Sequence, residues 1–405
     1  MKVWRMLAGR RGPSRGTKTA LFSILALSTA LAATLSGGNE AQSAPAANPA
    51  VTRAAQPYVQ PYTPQYLPAT PPAVLAAQRI LDSRIASIGR GFNGDVGIAV
   101  KDVETGWVSH YDGARHYPQQ SVSKFWVALT ALDKADRGEL DFYEPVTVRN
   151  HDLTVFHQPI RAMIRGGGYN TTLNDLLHRA LQQSDNTAND FLMRRAGGPD
   201  AVRDFLARSS IDGIRFGPGE KLLQAGIAGL SWRPEYSMGR AFYAARAGVP
   251  SSVRQAAFNR YAADPIDGAT PLGIVDALAR LKRGELLSPG STQRLLGIMS
   301  NTKTGPQRLK GGLAPGYRLA HKTGTGQVLG ATQSGYNDIG IITGPNGRSY
   351  AVAVIIRRTA APIPQRMQMM QSVTRAVIDY DRNMEGLDWA RSAGGHRAAS
   401  DSSSK

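Results

Sequence analysis

The chain has 405 residues, 42% of them hydrophobic and 19% charged, with a formal net charge of +18 and no cysteine. That size and apolar content suit one large globular domain or two ordinary ones, and the lack of cysteine excludes disulfides, thiolate metal sites and a lipid-modified cysteine. The positive charge is spread out, with no basic helix interleaved by aromatic residues; this argues against nucleic-acid binding and leaves a nonspecific pull toward anionic cell-surface polymers.

Lys2, Arg5, Arg10, Arg11, Arg15 and Lys18 run into an apolar stretch, residues 19–35, and then into small residues through Ala46. This is the layout of a signal peptide (residues 1–46), cleaved after Ser43 or Ala46, and it predicts a periplasmic or secreted protein. With Glu40 the only acid in that segment, its removal leaves a net charge of +13. The apolar run holds 17 residues with Ser and Thr among them, too marginal for a permanent membrane span. Residues 47–71 are rich in Pro, Ala and Tyr without periodicity and read as a disordered linker.

A helix is expected from about Pro72, where "AVLAAQRILDSRIASI" repeats its apolar residues at helical spacing. "GDVGIAVKDVETGWVSHY" reads as strand, turn, strand around Glu104-Thr105-Gly106. From about 139 to 210 the pattern is mainly helical. "DIGIITGPNGRSYAVAVIIRRT" reads as a hairpin turning at Pro345-Asn346-Gly347, followed by a last helix over roughly 364–384 and a polar, disordered tail, 387–405. Strands thus come from both ends of the chain with helices between. The predicted fold is α+β: an antiparallel sheet built from both chain ends and flanked by helices, plus a mainly helical subdomain.

Chemistry enters at "PQQSVSKFWVALTAL" (118–132), where Ser121 and Lys124 open a helix that is apolar on most of its surface. Ser121 can cap the helix while Lys124 snorkels to water. Alternatively Ser121 is a nucleophile and Lys124, one helical turn on, handles its proton. Ser-x-x-Lys occurs three times, but Ser300–Lys303 follows a helix end and Ser402–Lys405 lies in the tail. Ser184-Asp185-Asn186 lies between two helical stretches, where Ser or Asp can cap the helix "NTANDFLMRRA"; in an extended turn Ser184 and Asn186 face one way and Asp185 the other. Lys322-Thr323-Gly324 precedes strand-like sequence, so that the Lys and the hydroxyls of Thr323 and Thr325 offer donors to a carboxylate, and Gly324 permits close approach of a ligand. A second Lys-Thr-Gly, Lys303-Thr304-Gly305, falls in a loop before Pro306. The seven His residues form no His-Glu-x-x-His pattern, which argues against zinc, and the Gly-x-Ser-x-Gly match at Gly12–Gly16 falls inside the signal peptide.

Taken in order, these three motifs make the chain strongly resemble the class A β-lactamases within the penicillin-recognising serine hydrolases, over roughly residues 75–385. The resemblance implies one catalytic domain (residues 72–386) with its active site between sheet and helical subdomain. It implies no cofactor or metal, a monomer, and β-lactam hydrolysis through an acyl-enzyme. By resemblance Ser121 is the nucleophile, Lys124 and Glu220 share the base role, Ser184 relays a proton, and Lys322, Thr323 and Thr325 anchor a substrate carboxylate. Asn186 would hold the substrate's amide, Phe156 would wall the cleft, and Glu220 with Gln224 would place the deacylating water. Glu220-x-x-Leu223-Gln224 carries Gln where the family has Asn, and Glu235 is the alternative base. His321 replaces the usual Asp before the motif Lys. No Arg stands shortly after the third motif, where many members hold one for the substrate carboxylate; Thr332 stands near there, and Arg366 is the substitute from the last helix. Residues 225–266 are longer than the family pattern and are expected as an enlarged loop. The alternative reading is a penicillin-binding D-Ala-D-Ala peptidase, esterase or sensor, which would acylate on the same site with a cell-wall peptide as partner.

Overall fold

The computed structural model describes residues 70–401, with side chains described through Leu387. The expected signal peptide and most of the linker lie outside the described residues. Helix α1 (Pro72–Gly91) opens the fold, with Pro at its first position where the missing N–H costs nothing. It leads into β1 (Asp95–Asp102) and β2 (Val108–Tyr111), joined through Gly106 at φ +75°. Three further long strands come from the end of the chain: β3 (Arg318–Thr325), β4 (Tyr336–Thr343) and β5 (Ser349–Arg358). The sheet order is β2-β1-β5-β4-β3, antiparallel throughout, so chain start and chain end meet where β1 pairs with β5.

This confirms the α+β expectation, and the reason is visible in β5. "SYAVAVII" is apolar without alternation because both faces of the sheet are covered. Ala351, Ala353 and Ile355 point into the core shared with the helical subdomain, while Tyr350, Val352, Val354 and Ile356 point toward α1 and the closing helix α11 (Ile363–Asp401). Helix α11 passes the end expected near 384 and continues through most of the segment read as a disordered tail. "LDWARSAGGHRAAS" contains no proline to stop it and has alanines that favour helix.

The subdomain is built around α2 (Lys124–Asp136), whose residues Lys124 to Leu132 are all buried. Against it pack α3 (Leu173–His178), α4 (Asn186–Arg195) and α5 (Gly198–Arg208). Then come α6 (Glu220–Ile227), α7 (Ala241–Gly248) and α8 (Ser251–Ala263). Residues 225–266 are therefore mainly helical rather than an enlarged loop, since "AFYAARAG" and "SSVRQAAFNRYAA" are rich in alanine and arginine. Finally α9 (Pro271–Lys282) and α10 (Pro289–Ser300) return the chain to β3. Among the described residues no helix is long and apolar enough to cross a membrane.

Candidate active site

Three segments distant in sequence converge where α2 begins. Ser121 lies in a 3-10 turn (Gln120–Ser123) that feeds directly into α2 without a side-chain cap, so the capping role does not hold for it. Gln120, just before it, is held at φ +53°, a costly conformation for a residue with a Cβ. Lys124, one turn later, donates to the Ser121 hydroxyl at 2.8 Å and pairs with Glu220 Oε1 at 2.5 Å. Lys124 is wholly buried and Glu220 nearly so. Burial of two charges is tolerated here because each offsets the other's lost hydration.

Ser184 closes a π-helical turn in the left-handed region, φ +59°, and Asn186 begins α4. Between them Asp185 is the helix cap, accepting from the Ala188 N–H at 2.9 Å and the Ile160 N–H at 2.6 Å. The cap and the loop thus coincide: anchored by Asp185, the turn presents Ser184 and Asn186 to the cleft. Asn186 Nδ2 donates to the Val155 carbonyl at 2.9 Å, and its Oδ1 is buried with no partner among the described residues. That oxygen is an acceptor a ligand N–H can use.

On the sheet side, Lys322 Nζ donates to Ser184 Oγ at 2.9 Å and to the Thr323 carbonyl at 2.8 Å. Burial, then the neighbouring charges of Lys124 and Arg308, push its pKa well below the usual lysine value. Gly324 has a role other than admitting a ligand. A Cβ there would stand 2.4 Å from the Gln119 carbonyl oxygen, so its absence lets β3 press against the turn that carries Ser121.

Where the segments meet lies a cavity of about 280 Å³ bounded by Ser121, Phe156, Ser184, Asn186, Glu220 and Arg308, with Gln224, Thr323 and Thr325 also on its wall; Lys124 and Lys322 are buried behind it. Phe156 sits at φ +62°, its ring edge-on to Phe242 of α7 at 4.9 Å. Of the residues singled out from sequence, Arg366 and Glu235 do not reach the cavity. Arg366 is buried and bound to the Ala361 carbonyl and to Gln333 Oε1, and Glu235 is exposed in a short 3-10 turn.

The structure supplies instead an arginine that sequence reasoning missed. Arg308, in the loop after α10, lies over the Tyr336 ring at 3.8 Å and donates to Thr325 Oγ1 at 2.6 Å and to the carbonyls of Gly324 and Asn337. Thr304, from the Lys-Thr-Gly set aside as a loop, reaches the cavity too, with its hydroxyl 2.6 Å from that of Thr323. Two further acids stand behind the site. Asp190 accepts the Glu220 N–H at 3.1 Å, and its pKa is pushed up to about 6 by burial and by the Glu220 charge. Asp338 receives His321 Nδ1 at 2.8 Å, so the residue replacing the family Asp is a partner to a buried carboxylate. Among the described residues no cluster of His, Asp and Glu could hold a metal ion.

A turn carrying Ser121 and Lys124, a loop carrying Ser184 and a strand carrying Lys322 are thus arranged around one cleft. Comparison with known proteins supplies the assignment. The sequence profile of the β-lactamase enzyme family matches residues 80–380, and the chain belongs to that family, among its class A serine members. It is 24% identical to β-lactamase VEB-1 of Pseudomonas aeruginosa over 304 residues, covering 75% of this chain and 91% of that protein. It is 28% identical over 312 residues to the extended-spectrum β-lactamase PER-1 of the same organism, covering 76% of this chain and 89% of that protein. Among solved structures, TLA-1 extended-spectrum β-lactamase superposes with a TM-score of 0.62 at 27% identity, covering 75% of this chain and 99% of that one.

Proposed function

We propose that the protein hydrolyses β-lactams through an acyl-enzyme on Ser121. The observation that carries this reading is the buried Lys124–Glu220 pair, 2.5 Å apart, with Lys124 also 2.8 Å from Ser121 Oγ. A carboxylate at that position is what separates hydrolysis from stalled acylation. Ser121 Oγ attacks the ring carbonyl, and its proton passes to Lys124 or, through water, to Glu220. The N–H groups of Ser121 and Thr325 receive the oxyanion, each donor worth about 3–4 kcal/mol in comparable hydrolases. Ser184, held by Lys322, hands a proton to the leaving nitrogen. Asn186 meets the substrate's amide, Phe156 walls its side chain, and Lys322, Thr323, Thr325 and Arg308 meet its carboxylate. Glu220 and Gln224 then position the water that cleaves the ester. Residues 1–46 direct the protein to the periplasm or outside the cell, where such substrates arrive.

The test is to mix the purified protein with a penicillin and follow ring opening and intact mass together. Many turnovers with a Ser121 adduct that forms and decays support the reading. A single turnover with a lasting adduct overturns it in favour of a penicillin-binding peptidase or sensor.

A further inference from the structure

The added segment between Gln224 and Asp267 sends two polar side chains toward the active site, and hydrogen-bond polarity gives them a shared task. Tyr261 of α8 is buried, and its hydroxyl lies 3.2 Å from Asp267 Oδ2 and 2.5 Å from Gln120 Nε2. Asp267 also accepts the Gln120 backbone N–H at 2.8 Å. Burial raises its pKa to about 6, which leaves it ionised at neutral pH and able only to accept. The Tyr261 hydroxyl must therefore donate to Asp267, and so it must accept from Gln120. That fixes the Gln120 amide with Oε1 toward Gln224, whose Nε2 donates to it at 2.9 Å. The same Nε2 donates to Glu220 Oε2 at 3.1 Å.

The opposite end is fixed independently. Arg246 of α7 can only donate, and its Nη1 reaches Gln327 Oε1 at 3.1 Å. Gln327 must then turn its Nε2 to Gln224 Oε1, 3.0 Å away. Three amides thus form one directed chain from an obligate donor, Arg246, to an obligate acceptor, Asp267. Reversing any amide would set donor against donor or acceptor against acceptor in a buried site, where an unmade hydrogen bond is costly.

We propose that Arg246 and Tyr261 are positioning residues which, with Asp267, lock Gln224 so that its amide NH2 always faces Glu220, tuning release of the acyl-enzyme rather than its formation. The inference rests on the role given to Glu220 above. It assigns the added segment a catalytic purpose: Gln in place of Asn has a longer, freer side chain, and the two helices supply the constraint.

The test compares wild type with Tyr261→Phe, which deletes one oxygen and keeps the ring, and with Arg246→Leu at the other end. Acylation and deacylation rates are measured by stopped-flow and by adduct mass, on proteins whose circular dichroism matches wild type. Deacylation falls about fivefold to tenfold in each variant, the equivalent of one neutral hydrogen bond. Acylation is unchanged, so kcat and KM drop together while kcat/KM holds. Adding Gln224→Ala to Tyr261→Phe gives no loss beyond Gln224→Ala alone, because both act through one amide. Unchanged deacylation in a folded variant, a fall in kcat/KM matching that in kcat, or additive losses in the double variant would each overturn the inference. Should Tyr261→Phe not fold, Arg246→Leu alone decides it by the same criteria. A wild-type protein that never acylates removes the proposed function and this inference together, whereas normal wild-type turnover with unaffected variants removes only the inference.

Discussion

Glu220→Gln is the substitution on which most of the reasoning bears. It keeps the side-chain volume and a hydrogen-bonding oxygen toward Lys124 while removing the charge. In the proposed mechanism the lost carboxylate is the general base for the deacylating water, and a positioned base contributes about 10²–10⁴ in rate. Turnover should fall by that factor while Ser121 still acylates, because Lys124 remains 2.8 Å from its hydroxyl. A penicillin then accumulates as a stable adduct visible by intact mass. The same change leaves Lys124, wholly buried, without its counter-charge. Breaking a buried pair from one side costs about 3–5 kcal/mol. Thermal stability should accordingly drop, as read from thermal unfolding of the two proteins side by side. Turnover within twofold of wild type, with no adduct, would refute the assignment of Glu220 and the mechanism built on it.

Replacing Ser121 by Ala should abolish covalent labelling by a penicillin, checked by intact mass; a surviving adduct would move the nucleophile elsewhere. Arg308→Ala should reduce kcat/KM for carboxylate-bearing β-lactams by about tenfold to a hundredfold, the worth of a hydrogen bond to a charged group, and much less for the corresponding esters. Asp190 offers a pH test. Its folded-state pKa is raised from 3.8 to about 6, so between those values the folded protein holds a proton that the unfolded chain has lost. Stability from this group is therefore full below pH 3.8 and is lost as pH rises through about 6, an upper limit of about 3 kcal/mol. In Asp190→Asn that slope should vanish, as read from urea unfolding at pH 4, 5, 6 and 7; parallel profiles for the two proteins would refute the titration.

The parts of the site legible in the sequence are those whose chemistry needs short spacing. Ser121 and Lys124 are one helical turn apart, and Lys322 and Thr323 share a strand, so local periodicity alone places them together. Asp185 was readable as a helix cap, and it serves as one. Arg308 carried no such signal: it lies in an irregular loop, and only the return of the chain from α10 to β3 lays it over Tyr336. Arg366 was the natural guess from α11, yet the fold spends its guanidinium on the Ala361 carbonyl and on Gln333. Gly324 was legible as a close approach, but the approaching group is the protein's own Gln119 carbonyl. The amide chain through Gln120, Gln224 and Gln327 was not readable at all, since glutamine carries no spacing rule and the order of the chain depends on tertiary contacts alone.

Charge within the cleft argues for the same class of substrate by an independent route. Lys124, Lys322 and Arg308 bring three basic side chains to a small, largely buried site, where Glu220 is paired with Lys124 and Asp190 and Asp338 stand behind. Lys322 has a hydroxyl and a carbonyl as its neighbours, and Arg308 a hydroxyl and two carbonyls. Those are neutral partners, which orient a cation without neutralising it. An apolar or cationic ligand would leave the Arg308 guanidinium desolvated with no carboxylate partner, a costly combination in a protein. A ligand bearing one carboxylate beside an acylable carbonyl relieves it. The overall +18 of the chain contributes little here, because charges spread over the surface are screened beyond roughly 8–10 Å at physiological salt. On the proposed function, preference for an anionic substrate is thus local, set by Lys322 within β3 and Arg308 packed against that strand, and it follows from burial rather than from net charge.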